Sequence, residues 1–304
     1  MSPETTPEYS VVSYGRELAD AYLGAVQQAV AGTGARIVEL ENAEGDGYVV
    51  TKLFVTFDGG LEALRSAVAA AAKAALAGGA SPAQSAVVPA SLVEPGRKLL
   101  VMDVDSTLIK QEVIELLAAH AGREAEVAAV TEAAMRGELD FAQSLHQRVR
   151  ALAGLPESVI PAVGARIELS DGAELLVKEF LTAGHAVAVV SGGFSQVLDP
   201  LAERLQLTYA RANLLGVQDG VLTGTVEGPV VDRAVKAESL RGWAAAQGIE
   251  QRHTIAVGDG ANDLDMLAAA ALGVAFNAKP AVQAAADAVL NLPNLDVVQH
   301  FVKL

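Results

Sequence analysis

The sequence predicts an α/β protein built on a doubly wound parallel sheet with an inserted helical cap, preceded by a ferredoxin-like α+β domain. From residue 98 onward, short apolar runs alternate with helical patterns, which is typical of parallel strands joined by helices. Before that point the patterns follow the order βαββαβ. Three helical segments without a strand between them follow the first apolar run, and they indicate a cap over the sheet edge.

The chain has 304 residues, a length that suggests about two domains. We expect a first domain over residues 1–95 and a second over residues 96–304, with the cap at about 112–170. Proline and glycine residues at Pro89, Pro95 and Gly96 indicate the linker between the two.

Alternating and helical patterns, separated by glycine turns, predict the elements of the first domain. Strands are expected at Tyr9–Tyr14, Arg36–Glu41, Tyr48–Phe57 and Ser85–Pro89, and helices at Ala19–Ala31 and Leu61–Leu76. This order resembles a single ACT-type regulatory module, although Gly15–Leu18 lacks the glycine-led ligand loop of an amino-acid-sensing unit. A regulatory role and a packing or dimerisation role both stay open, with a homodimer as one outcome.

The second domain is predicted from four buried strands and the helices between them. The strands are expected at Leu99–Met102, His185–Val190, Thr254–Val257 and Gly273–Phe276. The main helices are expected at Gln111–Ala121, Glu124–Arg136, Phe141–Ala153, Gly172–Ala183 and Val235–Gln247, with another that ends at Leu205. A hairpin turn is indicated at Gln218–Val221.

The composition excludes several classes of function. The formal net charge is −15 and no basic patch stands out, so we expect no nucleic-acid partner. The absence of cysteine from the sequence excludes disulfides and thiolate metal sites. The chain begins with an acidic, polar stretch unlike a signal peptide, and its most apolar helix, Ala67–Ala77, is too short to span a bilayer. We therefore expect a cytoplasmic protein without a membrane partner.

Polar clusters follow three of the predicted strands. Asp103 and Asp105 end the first, Ser191-Gly-Gly follows the second, and Gly258-Asp-Gly-Ala-Asn-Asp263 follows the third. Parallel strands place these ends on one edge of the sheet, where ligands of open α/β sheets bind. Each cluster alone has an ordinary explanation. An aspartate of the first could cap the following helix, and the second could be a common loop. The third could be a turn followed by a helix with acids in its first turn.

Together these clusters indicate a metal and a phosphate. Four acids on one edge, Asp103, Asp105, Asp259 and Asp263, repel one another unless a cation lies among them. The ligands on offer are oxygens, which Mg²⁺ prefers, together with a phosphate oxygen of the substrate. A bound phosphate in turn needs hydrogen-bond donors and a fixed positive charge. The Ser191 hydroxyl, the nearby backbone N–H groups and Lys236 offer these, although a lone lysine is most often a surface charge.

These motifs resemble those of the haloacid dehalogenase superfamily of phosphatases, over about residues 98–290. The resembling motifs are Asp103-Val-Asp-Ser-Thr, Ser191-Gly-Gly, Lys236 and Gly258-Asp-Gly-Ala-Asn-Asp263. Glu112, the segment Ala134–Phe141 and the segment Ser144–Val149 are similar to signatures of the subfamily that acts on phosphoserine. The resemblance implies a HAD-like, Rossmannoid sheet and Mg²⁺-dependent hydrolysis of O-phospho-L-serine, the last step of L-serine biosynthesis.

The resemblance also implies a role for each residue of the reaction centre. Asp103 would be the nucleophile that forms an aspartyl-phosphate, and Asp105 the general acid and then the general base. The Asp103 carboxylate, the Asp105 backbone carbonyl and Asp259 would hold Mg²⁺, with Asp263 in support. Residues that hold or position the phosphoryl group would be Ser191, Gly192, Lys236 and Asn262.

Substrate choice is expected in the cap. By the same resemblance, Glu112 would receive the substrate amine and Arg148 would clamp its carboxylate, while Met135 and Phe141 would line the pocket. A phosphatase or phosphotransferase for another small phosphate stays open, as does an amino-acid-sensing regulatory protein.

Overall fold

The structure is a computed structural model that describes residues 8–135, 138 and 140–304, without the side chains of residues 8 and 132–135. It contains two sheets, one of four strands and one of seven. No helix within these described residues is both long enough and apolar enough to cross a membrane.

The amino-terminal part folds as βαββαβ, as predicted. Its elements are β1 (Glu8–Gly15), α1 (Asp20–Gly32), β2 (Arg36–Gly45), β3 (Tyr48–Thr56), α2 (Leu61–Ala77) and β4 (Ala83–Val88). The strand order is β2-β3-β1-β4 and every neighbouring pair is antiparallel, which confirms the ferredoxin-like fold. Alternate residues of the strands face opposite sides. Val11 and Leu53 therefore pack with the buried faces of α1 and α2, whereas Val12 and Tyr14 face the rest of the protein.

The remaining chain forms a sheet flanked by helices and an inserted helical region. Its strands are β5 (Leu99–Met102), β6 (Ala186–Phe194), β7 (Tyr209–Gln218), β8 (Val221–Glu227), β9 (Thr254–Gly258), β10 (Leu272–Phe276) and β11 (Ala288–Leu290). Its helices are α3 (Ala90–Val93), α4 (Val113–Ala121), α5 (Glu124–Met135), α6 (Phe141–Arg150), α7 (Val159–Gly164), α8 (Ala173–Thr182), α9 (Ser195–Arg204), α10 (Arg233–Ala246), α11 (Leu264–Ala269) and α12 (Pro280–Gln283).

The seven strands lie in the order β11-β10-β9-β5-β6-β7-β8 and are parallel except for the pair β7–β8. Every residue of the central strand β5 is fully buried, as expected for a strand covered on both faces. Leu99 is paired with both Ala186 and Thr254, so β5, β6 and β9 run in register and present their carboxyl ends on one edge. This edge is where the predicted residues of the reaction centre lie.

Three of the differences between the structure and the predicted elements have a clear physical reason. The insertion contains a fourth helix, α7, which was not predicted because Pro161 interrupts its helical sequence pattern. The three-residue strand β11 is too short to show a period in the sequence. Strand β6 does not end at Val190 but is paired again with β7 at Phe194, beyond an irregular stretch. The hairpin prediction is correct, because β7 and β8 are joined at Asp219 and Gly220, both with positive φ.

The two sheets share one hydrophobic core. Tyr14 of β1 and Leu100 of β5 belong to the same cluster of buried side chains. The Tyr14 hydroxyl donates to the backbone carbonyl of Val289 in β11, at 2.7 Å. The Tyr48 hydroxyl donates to the Asp296 carboxylate, at 2.8 Å, in a short 3₁₀ segment near the carboxyl end. The amino-terminal sheet is therefore packed directly against the edge of the larger one.

Candidate active site

Asp103 lies where the central strand ends. Its backbone N–H donates to Val257 of β9 at 2.9 Å, which continues the ladder to this residue. Its carboxylate oxygen Oδ1 then accepts from the N–H of Val104 at 2.7 Å and so caps the tight helical turn Val104–Leu108. The helix-cap explanation therefore holds for Asp103, but it accounts for only one of its two oxygens.

The turn after β5 presents two more polar groups. Ser106 adopts the left-handed conformation with φ 56°, which costs a non-glycine residue about 1–2 kcal/mol. Its hydroxyl donates to Glu112 at 2.8 Å and so fixes the position of that carboxylate. Thr107 donates to Asp259 at 3.3 Å across the strand ends.

Three carboxylates meet at this edge. One oxygen from each of Asp103, Asp259 and Asp263 lies within 4.8 Å of the others, an arrangement that could hold a metal ion. Lys236, from the first turn of α10, is fully buried. Its Nζ lies 2.7 Å from Oδ1 of Asp103 and 2.7 Å from Oδ1 of Asp263. The structure thus brings together acids that follow two strands, β5 and β9, and the lysine that follows a third, β8.

The electrostatics of this cluster favour one more cation. Burial raises the pKa of Asp103 well above its usual value, and the Asp263 and Asp259 charges raise it further, whereas Lys236 opposes them. Burial, with repulsion from Asp263, raises the pKa of Asp259 to about 7. Burial alone would lower the pKa of Lys236, but the attraction of Asp103 and Asp263 raises it. Three acids with one ammonium leave excess negative charge that a divalent cation would neutralise, so the donor set fits a hard metal.

Asp105 has the surroundings of a carboxyl group that can carry a proton. Its Oδ1 accepts from the N–H of Val113 at 2.8 Å, and its Oδ2 accepts from the Ser191 hydroxyl at 3.0 Å. Burial raises the pKa of Asp105 to about 6, with a further contribution from Glu112, although these two hydrogen bonds oppose the shift. The group can therefore change protonation state near neutral pH.

The Ser-Gly-Gly sequence forms a loop that must be glycine-rich for steric reasons. The Gly193 N–H donates to the Ser191 hydroxyl at 2.7 Å. A Cβ on Gly193 would lie 2.8 Å from Oδ2 of Asp105, and a Cβ on Gly192 would lie 3.0 Å from the Phe141 ring. The loop is therefore packed between Asp105 and the first residue of α6, which belongs to the inserted helices.

A cleft of about 570 Å³ lies between the sheet edge and these helices. The predicted site residues that line it are Asp103, Asp105, Glu112, Phe141, Arg148, Gly192, Asp259 and Asn262. Ser191, Lys236 and Asp263 are buried next to it. The side chain of Met135 lies outside the described residues, so its predicted place in the pocket stays a prediction.

Arg148 contributes a positive charge to the wall formed by the inserted helices. It is half-buried on α6, and its Nε donates to the Ser144 carbonyl at 3.4 Å. Burial lowers its pKa, while the nearby Glu112, Asp105 and Glu115 carboxylates act against that shift. The cleft thus has a guanidinium on one wall and a carboxylate, Glu112, close to it.

Several lining residues were not predicted as site residues. Ser106, Asp140, Ser144, Leu145, Gly193, Gly260 and Ala261 lie within the motifs identified from the sequence but had no predicted role, whereas Ile114, Glu115, Thr131 and Lys279 lie outside those motifs. Asp140 and Gln143 form a capping box at the start of α6, and the Asp-x-x-Gln spacing is a sequence signal for the role of Asp140 as a helix cap. Lys279 follows β10 in an exposed position, where a lysine carries no distinctive pattern.

Known proteins resemble this chain in sequence and in fold. A family model described as haloacid dehalogenase-like hydrolase matches residues 100–268. A phosphoserine phosphatase of Streptomyces coelicolor is 59% identical over 215 residues, which are 71% of this chain and 52% of that protein. The chain thus spans about half the length of this relative.

Two solved structures extend the comparison. A substrate-bound phosphoserine phosphatase superposes with a TM-score of 0.66 and 43% identity, covering 69% of this chain and 100% of that one. An unliganded probable phosphoserine phosphatase from Vibrio cholerae gives a TM-score of 0.74 at 36% identity, with 96% of this chain and 86% of that chain covered. The second similarity includes the amino-terminal sheet.

Proposed function

Because the chain belongs to the haloacid dehalogenase-like hydrolase family, we propose that it is a Mg²⁺-dependent phosphatase that hydrolyses O-phospho-L-serine to L-serine and phosphate. The observation that carries the proposal is the buried Lys236 between Asp103 and Asp263, beside Asp259, at a cleft that also contains Glu112 and Arg148. The similarity to phosphoserine phosphatases supports the choice of substrate. In this role the chain performs the last step of L-serine biosynthesis.

Substrate binding uses two groups of residues. Ser191, Gly192, Lys236 and Asn262 hold the phosphoryl oxygens, which lie next to the nucleophile. In the cap, the Arg148 guanidinium forms a bidentate pair with the substrate carboxylate, and Glu112 accepts the ammonium group. Phe141 covers the substrate, since its ring already packs over Gly192. The bound ester thereby has its phosphorus in front of Asp103.

Asp103 and Asp105 divide the chemistry. An Asp103 oxygen attacks phosphorus as the bond from phosphorus to the serine oxygen breaks, and Asp105 gives its proton to that leaving oxygen. Asp105 then takes a proton from the water that attacks the aspartyl-phosphate, and Asp103 is released with phosphate. The pKa of about 6 for Asp105 suits a group that must give and take a proton near neutrality.

Mg²⁺ would be held by the Asp103 carboxylate, the Asp105 backbone carbonyl and Asp259, with Asp263 in support. Bound there, it would neutralise charge on the phosphoryl oxygens. Lys236 contributes a second, permanent positive charge from within the protein. The cytoplasmic location, the homodimer and the regulatory or dimerisation role of residues 1–95 stay predictions.

Phosphate release from a small panel of esters tests this function. The panel contains O-phospho-L-serine, O-phospho-L-threonine and p-nitrophenyl phosphate, each assayed with Mg²⁺ and with chelator. We expect turnover of phosphoserine that is lost with chelator and restored by Mg²⁺. Asp103→Asn, checked by mass spectrometry for deamidation, is the inactive control. A preference for another ester, or turnover unaffected by chelator or by Asp103→Asn, would contradict the proposal.

A further inference from the structure

The side chain of Asn213 lies on β7 behind the Ser-Gly-Gly loop. Only 1% of it is exposed. Its Nδ2 donates to the Gly192 backbone carbonyl at 2.8 Å, and its Oδ1 accepts from the Val231 backbone N–H at 2.8 Å. Both polar atoms of this amide are therefore used to bind main-chain groups of two other segments.

The first of these segments is a bulge in the sheet. Strands β6 and β7 are paired at Val190 and Arg211, and the next pair is Phe194 with Asn213. The loop Ser191–Gly193 therefore faces the single residue Ala212, and main-chain groups in such a bulge lack ladder partners. The Asn213 amide supplies the partner that the ladder does not give to Gly192.

The second segment leads into the helix that carries the buried lysine. Val231 directly precedes Asp232, whose side chain caps α10 by accepting from the N–H of Val235 at 2.9 Å. The Lys236 N–H donates to the Asp232 carbonyl at 3.0 Å in the same turn. One buried amide thus joins the Ser-Gly-Gly loop to the base of the turn that presents Lys236.

We propose that Asn213 is a positioning residue that fixes the distance between the loop Ser191–Gly193 and Lys236, so that both sides of the phosphoryl group are held at once. The inference rests on the proposed function, because it assigns those two segments to phosphate. Hydrogen-bond donors stabilise the charge that develops on a phosphoryl group in the transition state most strongly when they are held rigidly in place. A displacement of about 1 Å can cost up to about 100-fold in rate.

Gln196 provides a matched control. Its side chain on α9 also bridges two main-chain groups of β7, with Nε2 donating to the Leu215 carbonyl at 2.7 Å and Oε1 accepting from the Leu215 N–H at 3.1 Å. It therefore loses the same kinds of hydrogen bond when replaced by alanine. Neither of its bonds reaches Gly192 or Val231, so the separation of loop and lysine is kept.

The experiment compares Asn213→Ala, Asn213→Asp and Gln196→Ala in the full chain. We expect Asn213→Ala to lower kcat/KM by about 10- to 100-fold for both phosphoserine and p-nitrophenyl phosphate, since both share the phosphoryl group. Affinity for inorganic phosphate with Mg²⁺, measured as inhibition and by calorimetry, should fall about tenfold, the size expected when a hydrogen bond to a charged group is weakened. Asn213→Asp keeps the acceptor for Val231 but cannot donate to Gly192, so its losses should be similar. Gln196→Ala should stay within about threefold of the wild type.

The phosphate measurements separate positioning from mere stability, because unfolding lowers the active fraction and apparent kcat without changing the phosphate affinity of the folded fraction. Asn213→Asp carries the test if thermal melting shows that Asn213→Ala does not fold. The proposal is overturned by phosphate affinity near the wild-type value in the folded Asn213 variants, or by an equal loss in Gln196→Ala. If the wild type cleaves neither ester, the proposed function fails, and calorimetry with inorganic phosphate still decides the role of Asn213.

Discussion

At the scale of single residues, Lys236 has its ammonium group between two buried carboxylates. With no solvent exposure, its charge is balanced by Asp103 and Asp263 at distances of 2.7 Å. Breaking a buried ion pair from one side is costly because it leaves an uncompensated charge. The same residue therefore serves stability and, in the proposed reaction, the binding of phosphate.

A double-mutant cycle at Lys236 and Asp263 measures how much this ion pair contributes to stability. In the presence of chelator, we expect Lys236→Met to lower the free energy of unfolding by about 3–5 kcal/mol, because two carboxylates lose their partner. Adding Asp263→Asn removes one of the orphaned charges, so the double variant should be more stable than Lys236→Met alone. Urea unfolding of the four proteins measures this coupling. Strictly additive losses would mean that Lys236 and Asp263 do not compensate each other in the folded state.

Arg148 and Arg150 offer a second test, within one helix. Arg148 lines the cleft, whereas Arg150, two residues further along α6, is exposed. We expect Arg148→Ala to lower kcat/KM for phosphoserine by about 10- to 100-fold, since hydrogen bonds to charged groups are worth about 1.5–3 kcal/mol. Turnover of p-nitrophenyl phosphate, which lacks the carboxylate, should change little, and Arg150→Ala should affect neither substrate. An equal loss on both esters would contradict a carboxylate clamp at Arg148.

At the scale of elements, the end of a strand could be predicted from the sequence where the strand is an uninterrupted apolar run. The four apolar residues of β5 and the two acids that follow it show where the strand ends. The bulge in β6 could not be predicted, because Ser191-Gly-Gly reads as the end of a strand, whereas the pairing returns at Phe194. Asn213 was missed for the same reason, since the Gly192 carbonyl is free to accept from it only because the bulge removes that carbonyl from the ladder.

Two glycines of the α/β region give opposite predictions for alanine. Gly242 lies inside α10 with no atom of another segment within 4 Å of an added Cβ, whereas a Cβ on Gly258 would lie 2.5 Å from the Asp263 side chain. Gly242→Ala should therefore raise the free energy of unfolding by about 0.5–1 kcal/mol through helix propensity. Gly258→Ala should lower it by displacing Asp263 from Lys236. Denaturant unfolding measures both, and a loss of stability in Gly242→Ala would mean that the helix surface is more crowded than its packing indicates.

At the scale of the whole molecule, the two sheets are joined by buried polar and apolar contacts. The Tyr14 ring lies 5.5 Å from that of Phe301, and Tyr48 reaches Asp296 and His300. These contacts could not be predicted, because Tyr14 and Tyr48 are ordinary strand residues in sequence and their partners follow more than two hundred positions later. The succession of strands and helices along the chain could be predicted from local patterns, but the packing of one sheet against the other could not.

This junction should make stability depend on pH. Burial, with a contribution from the charge of Lys52, lowers the pKa of His300 to about 4, below the value of about 6.5 for an unfolded histidine. As pH falls through this window, the unfolded chain binds the proton first, so the contribution of His300 to the free energy of unfolding decreases, by about 2 kcal/mol at pH 5. Asp296, Asp105 and Asp259, whose pKa values are raised mainly by burial, act in the opposite direction.

Thermal melting between pH 7 and pH 5 tests this with two variants. His300→Gln removes the titrating group while keeping a polar side chain next to Tyr48, and between pH 7 and pH 5 its melting temperature should shift upward relative to that of the wild type. His146→Gln, at an exposed position of α6, is the matched control and should follow the wild type. Identical pH dependence in the wild type and His300→Gln would exclude the histidine as its source.

The central place of β5 has a consequence for how the protein is made. Both of its hydrogen-bonded neighbours, β6 at Ala186 and β9 at Thr254, come later in the chain. During synthesis on the ribosome, an entirely apolar strand therefore emerges well before either neighbour exists. Such unpaired apolar segments are prone to aggregate until their partners arrive. We infer that the yield of this protein depends on translation speed and on chaperones that shield the nascent strand.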